Sequence, residues 1–131
     1  ELIQALRISG AITMVQQDAA SLDRLINEGG RGLAGGQRQM VLLSRLIVRN
    51  PQIVLLDEPT ASMDEQLEAW VIRQLQQWLT GRTLILVTHR PALLNLVDRI
   101  VVMENGKVIA DGPRDSLLKQ AQNNSNVASI A

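Results

Sequence analysis

The stretch Ile53-Val54-Leu55-Leu56-Asp57-Glu58-Pro59-Thr60 decides how the rest of this chain is read. Four apolar residues in a row, bounded by Asn50-Pro51 before and two acids after, read as a strand buried on both faces. A second run, Thr83-Leu84-Ile85-Leu86-Val87, has the same character and ends in Thr88-His89. Between the two lies a helical segment over 64–79. Its apolar residues Leu67, Trp70, Val71, Leu75, Trp78 and Leu79 recur with the 3.6 period. Ser62 and Glu65 give a capping-box pattern at its start, and Gly81 closes it. Strand, helix, strand in this order predicts a parallel pair. In sheets of that kind ligands bind beyond the carboxyl ends of the strands. Asp57, Glu58 and the chain's single histidine, His89, are thereby expected along one edge.

Working outward toward the N-terminus, Asn50-Pro51 ends a largely apolar helix predicted over 37–49, because the residue before proline avoids helical backbone. Arg38, Arg45 and Arg49 share one face of it. A glycine-rich stretch, Gly29-Gly30-Arg31-Gly32-Leu33-Ala34-Gly35-Gly36, leads into that helix, and residues 1–28 read as short helices. Toward the C-terminus, Pro91 opens a short helix. Residues 100–103 and 108–110 form a hairpin turned at Asn105-Gly106. Gly112-Pro113 starts a last helix to about residue 122, and the polar residues 123–131 are expected to be a disordered tail. The whole predicts an α/β domain on a mostly parallel sheet with flanking helices and a C-terminal β-hairpin.

Composition narrows the function. The chain has 131 residues, 46 % of them hydrophobic, but only two Trp and no Phe or Tyr, so its core must be aliphatic. Lys plus Arg equals Asp plus Glu at 13 each, which gives no support to a nucleic-acid partner. Without cysteine there is neither a disulfide framework nor a Cys-based metal site. No apolar run approaches the roughly 18 residues of a membrane span, and no signal peptide is visible. The chain begins at Glu1 rather than Met, so it is expected to be part of something longer.

Adjacent side chains on a strand point to opposite faces, so Asp57 and Glu58 should not duplicate one role. An acid at the tip of a buried strand can hold Mg²⁺ beside a nucleotide, usually through its waters, and a second acid at the turn can orient or deprotonate a water. The alternative is that both merely end the strand and begin a solvated turn. Gly35 and Gly36 open a helix whose free N–H groups favour a phosphate oxygen; the alternative is a flexible entry loop. Gly30 and Gly35 have P-loop spacing, but Gly36-Gln37 stand where Lys-Ser/Thr is needed, and no other segment is a P-loop. His89 can hydrogen-bond a terminal phosphate or serve structure alone. With one histidine and no Gly-x-Ser-x-Gly, neither a zinc site nor a Ser-His-Asp hydrolase is supported. Asp64 belongs either to the first helical turn, which the pattern favours, or to a contact with a partner subunit.

Together these pieces resemble the ATP-binding-cassette (ABC) family. Leu33-Ala34-Gly35-Gly36-Gln37-Arg38-Gln39 is similar to the family signature, usually Leu-Ser-Gly-Gly-Gln. Residues 53–60 match the Walker B strand, Ala61-Ser62-Met63-Asp64 the D-loop, and Val87-Thr88-His89-Arg90 the switch-histidine loop. The resemblance covers residues 28–118. It implies a P-loop NTPase-like fold, truncated, with 1–122 as a partial nucleotide-binding domain. Of this, 1–50 would be the end of the helical subdomain with the signature helix, and 51–122 the core. It implies ATP and Mg²⁺ as ligands, Asp57 serving the metal, Glu58 as general base and His89 on the γ-phosphate. Ala34, Gly35, Gly36 and Gln37 would close over ATP held by a second, identical nucleotide-binding domain, with Asp64 at that interface.

Two departures stand out. Ala34 replaces the usual serine, which removes a hydroxyl contact to the γ-phosphate. The P-loop, the Q-loop and the adenine-stacking aromatic are absent from these residues and expected upstream, so this chain alone is expected to be inactive. The sequence around the signature and the D-loop resembles exporters of type I protein secretion. There the ATPase is fused behind a transmembrane domain at the cytoplasmic face of the inner membrane and works with secretion partners. The competing expectations are an ABC ATPase of DNA repair or chromosome maintenance, and a non-catalytic regulatory module. The former should show heptads before the signature, and residues 1–28 show none.

Overall fold

The structure, a computed structural model, describes residues 1–18, 20–23 and 25–128. The chain divides into two compact units, Glu1–Ala92 and Leu93–Ala131.

In the first unit, the two apolar runs form β1 (Ile53–Asp57) and β2 (Thr83–Val87), joined through helix α4 (Glu65–Trp78). The strands pair in parallel and in register, from Ile53 opposite Thr83 to Asp57 opposite Val87. The expected parallel sheet is therefore present as a two-stranded pair. Burial alternates along β1: Val54 and Leu56 are buried, whereas Ile53 is 61 % and Leu55 69 % exposed. This corrects the expectation of a strand buried on both faces. A single crossover helix can cover only one face, and Ile85 and Val87 of β2 share the uncovered one.

Helix α4 and its C-cap Leu79 bury Val71, Leu75 and Leu79 of the expected stripe together with Ile72, which was not in it, while Trp70 of that stripe is 44 % exposed. Its N-cap is Asp64, whose carboxylate accepts the Leu67 N–H at 2.9 Å. The capping box expected from Ser62 and Glu65 does not form, because the chain enters the helix two residues later. The described residues of the unit also form the α-helices α1 (Leu2–Ile8), α2 (Ala11–Gln17) and the long α3 (Gly35–Arg49). Both α1 and α2 pack on α3, and α1 also meets α4. A buried hydroxyl pair, Ser9 to Ser44 at 2.7 Å, ties the α1 end to α3. Gly10 at φ 80° turns the corner into α2; a Cβ there would lie 2.8 Å from Leu67 Cδ1, so only glycine fits. Asn50 caps α3 in the left-handed region, one step before the proline that ends it.

In the second unit, β3 (Arg99–Glu104) and β4 (Lys107–Pro113) form the expected hairpin, and α5 (Arg114–Ala128) packs on it. Asn105 and Gly106 both have positive φ, as a tight two-residue turn requires. Gly112 and Pro113 end β4 rather than start the helix. Helix α5 runs past residue 122 to Ala128, so residues 123–128 are helical instead of a disordered tail; residues 129–131 lie outside the described residues. No helix among the described residues is long and apolar enough to cross a membrane.

Candidate functional site

The parallel register decides the site. Because Asp57 is level with Val87, the next residue on one strand, Glu58, meets the next two on the other, Thr88 and His89. The Glu58 N–H continues the ladder to Val87 O at 2.9 Å. Glu58 then turns the chain with φ 42°, a left-handed backbone that a non-glycine residue holds only where its surroundings over-determine it. Here they do. Glu58 Oε1 accepts the His89 backbone N–H at 2.8 Å and lies 2.6 Å from His89 Nδ1. Its Oε2 accepts the Thr88 hydroxyl at 3.0 Å.

These contacts set the charge state. Partial desolvation of the carboxyl works to raise its pKa. The His89 N–H, the Thr88 hydroxyl, the His89 ring hydrogen bond and its charge together outweigh that, and hold Glu58 below the usual glutamate value. An ionised carboxylate only accepts, so Nδ1 must carry the proton and donate, which leaves Nε2 facing away from Glu58. The His89 side chain is 83 % exposed, presenting that nitrogen to whatever approaches the rim. Asp57, the last residue of β1, is exposed, and its carboxylate has no hydrogen-bond partner among the described residues.

A second layer holds the rim. Arg90, next to His89, donates from Nη1 to Thr60 O at 2.6 Å and to Glu68 Oε1 at 2.8 Å. Thr60 is fully buried and its hydroxyl also donates to Glu68. The turn after Glu58 is thus bolted to α4 and to the histidine loop at once. Glu68 was missed in the sequence. Its signal was its place in the buried series 68, 72, 75, 79 of α4, an acid where the stripe calls for an apolar residue.

The glycine loop reaches the same place. Gly35 and Gly36 open α3 against the turn before α4: a Cβ on Gly36 would lie 2.7 Å from Ser62 O, and one on Gly35 2.9 Å from Ser62 Oγ. Ala34 is the N-cap, and its N–H is taken by Gln37 Oε1 at 3.1 Å. Glu58 and His89 meet at the rim, Asp57 ends β1 opposite Val87 just before them, and Gly35 and Gly36 abut the Ser62 turn. Asp64 instead spends its carboxylate on capping α4.

The residues suit a magnesium nucleotide as ligand. A free carboxylate at the strand tip, a carboxylate fixed in its ionised form and an exposed imidazole supply the oxygen and nitrogen groups that such a ligand needs. No cluster of three or more His, Cys, Asp or Glu among the described residues makes a metal site by itself. An apolar cleft of about 360 Å³, lined by Leu2, Leu6, Met14, Val41 and Val48 among others, contains none of the rim residues.

A family model described as ABC transporter matches residues 4–61. The exotoxin translocation ATP-binding protein PaxB of Pasteurella aerogenes is 35 % identical over 119 residues, 91 % of this chain and 17 % of the relative. The alpha-hemolysin translocation ATP-binding protein HlyB of Escherichia coli is 34 % identical over 122 residues, 93 % of this chain and 17 % of the relative. The leukotoxin translocation ATP-binding protein LktB of Mannheimia haemolytica is 35 % identical over 120 residues, again 17 % of its length. The chain therefore spans 17 % of the length of these curated relatives. With its glycine loop, acid-tipped strand and histidine loop in order, it is similar to the ABC transporter family over residues 4–61 and to these translocation ATP-binding proteins over most of its own length.

Proposed function

We propose that this chain is the catalytic-rim part of an exporter ATPase, in which ATP hydrolysis drives protein secretion across the inner membrane. The observation that carries the reading is the Glu58–His89 contact at the carboxyl edge of a parallel pair, 2.6 Å between Oε1 and Nδ1. Relatives whose names specify toxin translocation and ATP binding support the exporter assignment. Glu58 acts as the base that orients and deprotonates the attacking water. Its carboxylate keeps acceptor capacity beyond its present hydrogen bonds, and its depressed pKa keeps it ionised. His89 is oriented by Glu58 so that Nε2 meets the γ-phosphate. Asp57 would hold Mg²⁺, which would supply positive charge to offset that of the phosphates. Ala34, Gly35, Gly36 and Gln37 present backbone and side-chain donors to ATP held by a second copy, and Asp64 lies at that interface. A transmembrane domain of the same polypeptide and secretion-system partners complete the machine.

No stretch of this chain has the Gly-x-x-x-x-Gly-Lys-Ser/Thr pattern that wraps a triphosphate. These residues alone should therefore bind Mg-ATP only weakly. In the complete transporter, Glu58→Gln keeps the shape but removes the base. ATP turnover should fall by at least about a hundredfold while ATP binding stays near normal. Near-normal turnover in that variant would remove Glu58 from the role.

A further inference from the structure

Gln39 sits one helical turn into α3, four residues after Gly35 and so on the same face. Its side-chain amide makes two hydrogen bonds to backbone far away in sequence. Nε2 donates to Glu58 O at 3.2 Å, and Oε1 accepts the Ser62 N–H at 3.0 Å. The partners fix the amide's orientation, since a carbonyl only accepts and an N–H only donates. One side chain therefore spans the two ends of the turn that leaves β1 and enters α4.

Both ends matter to the proposed reaction. Glu58 holds its carboxylate in place from a left-handed backbone, and its carbonyl is shared between Gln39 Nε2 and the Ala61 N–H at 3.2 Å. Ser62 is the residue against which both glycines pack: a Cβ on Gly36 would collide with its backbone O, and one on Gly35 would force its side chain to shift. A displacement of the α3 N-terminus is thus transmitted to the Glu58 turn by two routes, steric contact at Ser62 and the Gln39 amide. We propose that Gln39 is a positioning residue which couples the glycine loop at the start of α3 to the carboxylate of Glu58. Glu58 then takes its working geometry only when α3 is seated.

This rests on the assignment of Glu58 as base, and the test separates the two. ATP hydrolysis and ATP binding are measured for the complete transporter with Gln39→Met, of similar length but without donor or acceptor. A second variant, Gln39→Glu, keeps an acceptor for Ser62 and loses the donor to Glu58. Glu58→Gln serves as reference. In both Gln39 variants kcat should fall about tenfold, with KM and the ATP dissociation constant within about twofold of the unaltered protein. A residue that only stabilises the fold would lower the yield of active protein, leaving each folded molecule's kcat unchanged. If Glu58→Gln abolishes turnover but both Gln39 variants keep kcat within about twofold, the coupling is overturned and the base assignment stands. Weakened ATP binding at unchanged kcat also overturns it. If Gln39→Met does not fold, Gln39→Glu alone decides, because it retains the Ser62 contact. Turnover surviving in Glu58→Gln removes the base assignment itself, and the coupling with it.

Discussion

A glutamate at φ 42° is a poor choice for a tight turn unless its side chain is needed there. At Glu58 the carboxylate gathers the His89 N–H, the His89 ring and the Thr88 hydroxyl, and those contacts hold the unusual backbone. They also lower its pKa from the ordinary 4.5. The folded state then binds that proton less readily than the unfolded chain does. The stabilisation is present above the ordinary value and is lost as pH falls through the lower, folded one. Glu58→Gln cannot show this dependence. The difference in thermal midpoint between the two proteins should be constant near neutrality and should shrink below about pH 4.5. A difference that persists unchanged to about pH 3 would refute the assigned cause. Asp57, Glu58 and His89 were legible because acids and a lone histidine that end apolar runs announce a strand tip. Gln39 was legible only as part of a motif. Its work depends on a contact 19 residues away, which no local pattern carries. Glu68 had a local signal as an acid in the buried stripe of α4, but its partner Arg90 comes from the histidine loop, which the helical pattern does not carry.

At the scale of elements, α3 starts with half a capping box. Gln37 reaches back to the Ala34 N–H, but Ala34 has no hydroxyl to offer the Gln37 N–H in return. Ala34→Ser supplies it and should stabilise the protein by about 1 kcal/mol, read as a higher denaturant midpoint at unchanged slope. No change or a loss would mean that the close packing on Ser62 has already fixed the helix start. The cap of α4 shows the limit of such patterns. Ser62 and Glu65 have the right spacing, yet Asp64 caps the helix, and the Ser62 N–H that Glu65 would bond is taken by Gln39. The strands were legible from their apolar runs, but their exposure was not. An apolar run of this length fits burial on both faces, and here β1 and β2 are covered on one. Helix α5 outran its expected end because polar residues such as Gln and Asn weaken a helix without stopping it, and no proline or glycine follows Pro113.

At the scale of the molecule, the first unit holds every residue proposed to act on ATP, from Ala34 to His89, while the hairpin and α5 form the second. The βαβ core and the hairpin were read from periodicity and turn chemistry alone. The division at 92/93 was not, because the unit boundary falls inside the short 3-10 turn Pro91–Leu96 rather than in a recognisable linker. The proposed activity requires Glu58 and His89 to work as one device. The measurement that bears on it most directly is ATP turnover by the complete transporter carrying Glu58→Gln, His89→Ala, or both. Two groups that act as a unit lose their joint contribution when either is removed, so the double variant should be no slower than the slower single one, within about threefold. Losses that multiply in the double variant would contradict it.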